Sequence, residues 1–152
     1  MKNKLMVFAL LGVAFFMTAC GGGSKLSCTA TEAGGALKLT YNFEFNSDDK
    51  LSGVEFEEVI DFSKVENLEE TLGCADIDEC MAEAKLEITE CESNSYYEGC
   101  KIVNETKTGL TVKAKVSDKS LETKDNGGMF NKDMTKEDVK KVAEEDSSFT
   151  CE

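Results

Sequence analysis

Leu37-Lys38-Leu39-Thr40-Tyr41-Asn42-Phe43-Glu44-Phe45 is the stretch whose period decides the fold. Apolar side chains at 37, 39, 41, 43 and 45 alternate with polar ones at 38, 40, 42 and 44. Successive side chains of a strand point to opposite faces, so this segment has one buried and one wet face. That asymmetry belongs to antiparallel sheets, whose second face can meet water. Working outward, Leu26, Cys28 and Ala30 alternate with Ser27, Thr29 and Thr31 as a first strand, and Gly34-Gly35 supplies the turn between the two. Asn46-Ser47-Asp48-Asp49 closes a hairpin onto a third strand, with Val54, Phe56, Ile60 and Phe62 facing inward. Glu58 falls on that inward face, against the pattern.

Helical spacing takes over further on. Ser63 with Glu66 matches a capping box ahead of Val65, Leu68 and Leu72, and Gly73 is placed to end that helix. Asp76 with Glu79 marks a second start, followed by Ile77, Met81, Ala84, Ile88 and Cys91 on one helical face. A strand over Lys85–Cys91 competes, since Leu86 and Ile88 also alternate with Glu87 and Thr89; the longer pattern favours the helix. Period two returns with Cys100 and Ile102, turns at Lys107-Thr108-Gly109, and continues through Leu110, Val112, Ala114 and Val116. Residues 117–133 read as a long polar loop. Thr135 and Asp138 cap a last helix with Val139, Val142 and Ala143 on its apolar face, and Met134 can staple onto Val139. The expectation is an α+β domain: an antiparallel sheet of about five strands with helices packed on one face, a two-layer sandwich.

The beginning of the chain is of another kind. Lys2 and Lys4 precede an apolar run of thirteen residues, Leu5–Met17, and then Met17-Thr18-Ala19-Cys20 and Gly21-Gly22-Gly23-Ser24. Thirteen residues fall short of the roughly 20 that a transmembrane helix needs, and the layout is that of an export signal. Met17–Cys20 resembles the lipobox of bacterial lipoproteins, in which the cysteine takes a diacylglycerol on sulfur and becomes the first residue after cleavage. Residues 1–19 are thus read as a signal peptide, 20–25 as lipidated Cys20 and a flexible tether, and 26–152 as one domain. A plain secretory signal is the alternative. The implied location is the extracytoplasmic face of a cell membrane, with the membrane itself as the first partner through the lipid on Cys20.

Cysteine counting points to the same compartment. The chain has seven, and Cys20 taken by lipid leaves six, an even number in an exported chain. If 77–91 is one helix, Cys80 and Cys91 lie about 16 Å apart along its axis, too far for a bridge that needs Cα atoms within roughly 7 Å. Cys74 sits beyond the opposite helix end from Cys91. The economical set is Cys74–Cys80, Cys91–Cys100 and Cys28–Cys151.

A lipobox, a first strand carrying a cysteine (Leu26-Ser27-Cys28-Thr29), paired strands, a helix, a Gly-led hairpin over Gly99–Val116, and a lysine- and acid-rich helix ending Phe149-Thr150-Cys151 resemble the YehR-like lipoproteins of bacteria over most of residues 20–152. The resemblance implies a two-layer α+β domain with no established activity. Cys74, Cys80, Cys91 and Cys100 have no counterpart in that pattern.

Composition narrows the functions. Without residues 1–19 the chain carries 15 lysines against 30 acids, a net charge of −15, and no arginine. Such a body is repelled by phosphate backbones, so no nucleic-acid partner is expected. Histidine is absent, which removes the ordinary neutral-pH base and the imidazole ligand. Acids cluster at Asp48-Asp49, Asp76-Asp78-Glu79 and Asp125-Asn126, without the spacing of a calcium loop, and read as caps and turns. The nearest cysteine pair, Cys74 and Cys80, lacks the C-x-x-C spacing of thiol redox motifs, and neither G-x-S-x-G nor S-x-x-K occurs. No catalytic, metal or cofactor-binding residues and no cofactor are assigned. Tyr41, Phe43 and Phe45 read as sheet core in preference to a ligand pocket. Tyr96-Tyr97 reads as a loop packed on its own helix, with a contact surface as the alternative. The expected role is a non-enzymatic binding or structural module of the envelope with a protein or peptide partner; the alternative is an acidic inhibitor or sequestering protein for a cationic envelope-active protein or peptide.

Overall fold

The computed structural model describes residues 23–91, 93, 95–122, 129–145 and 148–152. Cys20, the stretch 1–19 read as a signal peptide, and Asp125-Asn126 lie outside the described residues. Three strands open the chain, β1 (Lys25–Glu32), β2 (Leu37–Phe45) and β3 (Leu51–Asp61), followed by helices α1 (Leu68–Thr71) and α2 (Ile77–Cys91). Then come β4 (Tyr97–Glu105), β5 (Gly109–Val116), α3 (Asp118–Glu122), α4 (Lys136–Glu145) and β6 (Phe149–Cys151). The described strands form one six-stranded sheet in the order β4-β5-β3-β2-β1-β6, every neighbour antiparallel.

The count is six where five were expected. Phe149-Thr150-Cys151 is too short to carry a period, and only its pairing with Cys28-Thr29-Ala30 makes it a strand. Ser27 and Glu152 exchange both backbone hydrogen bonds, which places Cys28 and Cys151 at the adjacent, non-hydrogen-bonded site. Cα atoms approach most closely at such sites. Here they are 4.0 Å apart and bridged.

β2 sits in the middle of the sheet as its alternation demands. Phe43 and Phe45 are buried, and opposite them stand Val54 and Leu51. The inward residues of all strands and the apolar faces of α2 and α4 form two clusters. The first gathers Phe56, Ile60, Leu110 and Val112 with Met81 and Ile88 of α2. The second gathers Leu26, Phe43, Val54 and Val116 with Val139 and Ala143 of α4.

Three local expectations are corrected. Ser63 does not open a helix: it lies in a 3-10 turn, Phe62–Lys64, where Asp61 accepts from its backbone N–H and, at 2.6 Å, from its hydroxyl. α1 begins later, capped by Asn67, whose side chain accepts from Glu70 N–H and donates to the Glu70 carboxylate. Both sites offer a side-chain acceptor ahead of an acid, and the deciding factor is Phe62, which must stay buried at the end of β3. Gly73 ends the helix at φ 85°, its N–H bonded back to Leu68 and Glu69. β4 starts at Tyr97, ahead of Cys100, by taking Gly99 into a register irregularity at φ 64°. Residues 117–133 are not all loop, because Ser117 caps α3 and Phe130 is buried against Phe43.

The other caps match. Glu79 N–H donates to Asp76 while Ala75 N–H donates to Glu79, and Thr135 and Asp138 bond reciprocally. Val139 is fully buried, and Met134 packs on the same cluster.

Candidate binding site

The disulfides fix the frame around the site. Cys74–Cys80 ties the chain before α2 to that helix's first turn, and Cys91–Cys100 ties its last residue to β4, with Cα separations of 5.2 and 6.2 Å. α2 is held at both ends. Cys28–Cys151 holds β6 against β1 at the other side of the sheet. All six cysteines are buried.

α2 rests mainly on β4 and β5, and α4 on β6 and β1. The central strands β2 and β3 therefore lie under the seam between the helices. Aromatic rings fill that seam. Tyr41, which pairs with Phe56 across the sheet, packs on both core clusters, as does Tyr97. Ring centroids lie 5.9 Å apart for Tyr41–Phe56, 5.8 Å for Tyr41–Phe149, 5.0 Å for Phe56–Tyr97 and 4.7 Å for Tyr96–Tyr97. These are ordinary tilted and edge-on contacts. Tyr41, Tyr96, Tyr97 and Phe149 are half-buried, so the cluster reaches the surface.

The chain has three tyrosines, and the seam holds all of them. Tyr41–Phe45 was read as plain core. That is correct for Phe43 and Phe45, while Tyr41 has a rim position. Tyr96-Tyr97 was read as a loop packed on its helix; instead Tyr97 opens β4 and stands over Phe56, far away in sequence. Only tertiary pairing brings 41 beside 97, so no local signal could have found the group.

Glu58 lies one register step beyond Phe56 on the same inward face, opposite Leu39 and Val112, with 2% of its surface exposed. Of the three tyrosines, it acts on Tyr41. The Tyr41 phenol is held well above its ordinary range, chiefly by burial, then by Tyr97 and Tyr96, and then by the Glu58 carboxylate. Burial also pushes up Tyr96 and Tyr97, the latter helped by Tyr96. All three hydroxyls stay protonated at physiological pH. The seam therefore brings together aromatic faces, neutral O–H groups and one deep acidic side chain.

The opposite face of β3 carries a second buried acid. Glu57, also 2% exposed, faces away from the helices between Thr40 of β2 and Lys113 of β5. Lys113 Nζ sits 2.8 Å from its carboxylate. Desolvation raises the Glu57 pKa, opposed by Lys113 and by Lys38. Beside it the hydroxyls of Thr29 and Thr40 meet at 3.0 Å.

Among the described residues no group of three or more His, Cys, Asp or Glu side chains gathers as a metal site. Asp76 and Glu79 are spent on the start of α2. An open groove of about 930 Å³ runs between α2 and the β4–β5 turn, lined by Asp78, Met81, Lys85, Glu105 and Lys107. Lys85 and Glu105 bridge across it at 2.6 Å.

No protein-family model and no curated protein matches the chain. Among solved structures, an NMR structure of a protein from Streptococcus pneumoniae TIGR4 aligns with TM-score 0.46 and 11% identity, covering 100% of this chain and 98% of that one.

Proposed function

We propose that this chain is a bacterial lipoprotein of the YehR-like kind, cleaved before Cys20 and held by a diacylglyceryl thioether at the extracytoplasmic face of the cell membrane. Its body, a two-layer sandwich, acts as a non-enzymatic binding module, and the tyrosine seam is its binding site. The observation that carries the reading is the use of the cysteines. Six are consumed in three buried bridges, as suits an oxidising compartment, and Cys20 is left over. Residues 20–24 reach at most ~18 Å when extended. Ser24 accepts a bond from Phe45 N–H at the start of β1, so the body begins almost at the bilayer.

A second reading, an acidic inhibitor or sequestering protein for a cationic envelope-active protein or peptide, is favoured by the charge of the processed chain, with its 15 lysines and 30 acids. The test is mass spectrometry of the native protein together with its partition between membrane and soluble fractions. Acylated Cys20 and membrane partition are expected. An unmodified Cys20 in soluble material, or robust turnover of generic hydrolase or thiol-exchange substrates, would overturn the proposal.

A further inference from the structure

The acidic surplus that favours a cationic partner is unevenly placed. α4 sets three lysines against four acids, whereas α2 carries five acids and one lysine. Glu79, Glu83 and Glu90 of α2 are exposed along one side of the helix. Glu79, Glu83 and Glu87 follow one another at four-residue spacing, where like charges destabilise a helix. The bridges Cys74–Cys80 and Cys91–Cys100 hold the helix in place at both ends. A cation bound along this side relieves the repulsion.

Acids alone select only charge, but these border an opening. The groove of about 930 Å³ between α2 and the β4–β5 turn is lined on the helix side by Asp78, Met81, Ala82 and Lys85. Leu86 comes four residues after Ala82, which makes it a neighbour on the helix surface, and it stands 61% exposed at the rim. Glu83, three residues before Leu86, and Glu90, four residues after, flank it. Lys85 and Glu105 bridge the groove with side chains 42% and 48% exposed; such a surface pair contributes little and leaves the groove open to an occupant. Lys107 lies across the groove on the turn, so an occupant's basic side chains are favoured on the helix side.

The placement of apolar and acidic residues selects the occupant's conformation. In an extended segment successive side chains point to opposite faces, so an apolar row in the groove would send its charges to solvent. An amphipathic helix instead carries its basic residues beside its apolar stripe, where they reach acids beside the groove. Glu79 and Glu90 are eleven residues apart, about 16 Å along α2, which matches roughly three turns of such a helix.

Resting on the second reading above, that of a protein with a cationic partner, we propose that this groove docks one basic amphipathic helix of that partner. Its apolar stripe lies on Ala82 and Leu86, and its basic flank on Glu79, Glu83 and Glu90. The net charge draws the partner from a distance, and the groove decides where it docks.

The processed chain, purified from whichever cell fraction holds it, is titrated by calorimetry at physiological salt, with its own buffer and detergent as the blank. The probe is a leucine–lysine peptide of roughly 14 residues with leucines at helical spacing, close to the length of α2. Parallel titrations use the same peptide with lysine replaced by glutamate, and with leucine replaced by serine. Saturable binding of the leucine–lysine peptide is expected, weaker by roughly tenfold or more for the serine–lysine peptide and absent for the leucine–glutamate one. Leu86→Ser should weaken it by roughly tenfold. Glu83→Gln combined with Glu90→Gln should also weaken it by roughly tenfold. Glu137→Gln combined with Glu145→Gln, an equal change of charge at exposed positions of α4, should weaken it by less than about twofold, because distant surface charge is screened. Every replaced residue is exposed, and circular dichroism checks each fold. No saturable binding of the leucine–lysine peptide, or equal binding of the leucine–glutamate one, overturns the docking site and the cationic-partner reading together. Equal binding of the serine–lysine peptide, unchanged affinity in Leu86→Ser, or equal weakening by the α2 and α4 pairs overturns the groove and leaves that reading standing.

Discussion

Two glutamates adjacent in sequence, Glu57 and Glu58, sit on opposite faces of β3 and are equally buried, at 2% exposure each. Glu57 faces the side of the sheet rich in threonine and lysine, where Lys113 reaches it from the next strand at 2.8 Å. Glu58 faces the helices, among Leu39, Val112 and the tyrosines. A buried charge costs several kcal/mol unless it is paired and hydrogen-bonded. On the outer face the fold meets that cost with a lysine of its own, and the result is a structural ion pair. On the inner face Glu58 is set close to half-buried aromatic rings at a seam between two helices, where, after burial and the other two tyrosines, it raises the pKa of the Tyr41 phenol.

The difference can be broken at its strongest point first. Replacing Cys28 and Cys151 together by Ser opens a loop spanning 123 residues. It should cost up to about 4–5 kcal/mol in the chain-entropy picture. It also releases β6, and with it Phe149 from the side of Tyr41. Urea unfolding gives the energy, and tyrosine emission should change while the Glu57–Lys113 pair, judged by NMR, stays in place.

The outer pair comes next. Lys113→Ala strands Glu57 without its nearest cation and should destabilise by about 3 kcal/mol. Lys115→Ala breaks a pair with Glu55 in which both side chains are more than half exposed, and should cost no more than about 0.5 kcal/mol. A similar denaturation midpoint for the two variants would erase the distinction between a buried and a surface pair.

A smaller effect is expected at the end of β3. Asp61 accepts from the Ser63 hydroxyl and N–H and from Thr108, and Lys64 lies 3.5 Å away. These contacts, the Ser63 hydroxyl first, hold its pKa below the usual carboxylate value. Asp61→Asn should cost about 1 kcal/mol at neutral pH. Because the folded state holds this proton less tightly than the unfolded chain, the contribution is full above the ordinary carboxylate pKa and lost as pH falls through the depressed one.

Glu57 has the opposite sign. Its raised pKa means that the folded state binds the proton more tightly, so its ionisation erodes stability as pH rises from the ordinary carboxylate value through the raised one. Glu57→Gln should flatten that fall and cost less at neutral pH than Lys113→Ala, because the ammonium it leaves behind belongs to a side chain 28% exposed and can turn to water, whereas the carboxylate left by Lys113→Ala is 2% exposed. Unfolding curves measured across the acid range decide it; a slope unchanged from the parent would show that Glu57 titrates normally.

Much of the frame was legible in the residues. Strict alternation at 37–45, the reciprocal caps Asp76/Glu79 and Thr135/Asp138, and the Asn46 turn, whose side chain accepts from the N–H groups of Asp48 and Lys50, are local devices. Each is decided within a few residues. The pairings Cys74–Cys80, Cys91–Cys100 and Cys28–Cys151 are the economical set that remains once a straight helix over 77–91 has forbidden Cys80–Cys91 and Cys74–Cys91, and all three are formed. The Ser63 helix start failed because two acceptor-and-acid patterns lie four residues apart, and burial of Phe62 chose between them. β6 failed because three residues have no period.

The aromatic seam was harder to see. Glu58 was visible as a charge on an apolar row, yet the row alone does not say what faces it. Tyr41 and Tyr97 are brought together by the strand order β4-β5-β3-β2, which no local pattern encodes.

What the sequence determined by itself is whatever depends on neighbours along the chain: the periods of strand and helix, the caps, the acidic balance and the even set of six cysteines. Tertiary structure alone decided which distant strands lie side by side, that Phe149–Cys151 completes the sheet, and that three tyrosines and a glutamate meet between two helices. The physical reason is range. Backbone geometry and capping act over a few residues, whereas burial compares every way of stacking the finished elements, and only the winning arrangement defines the seam.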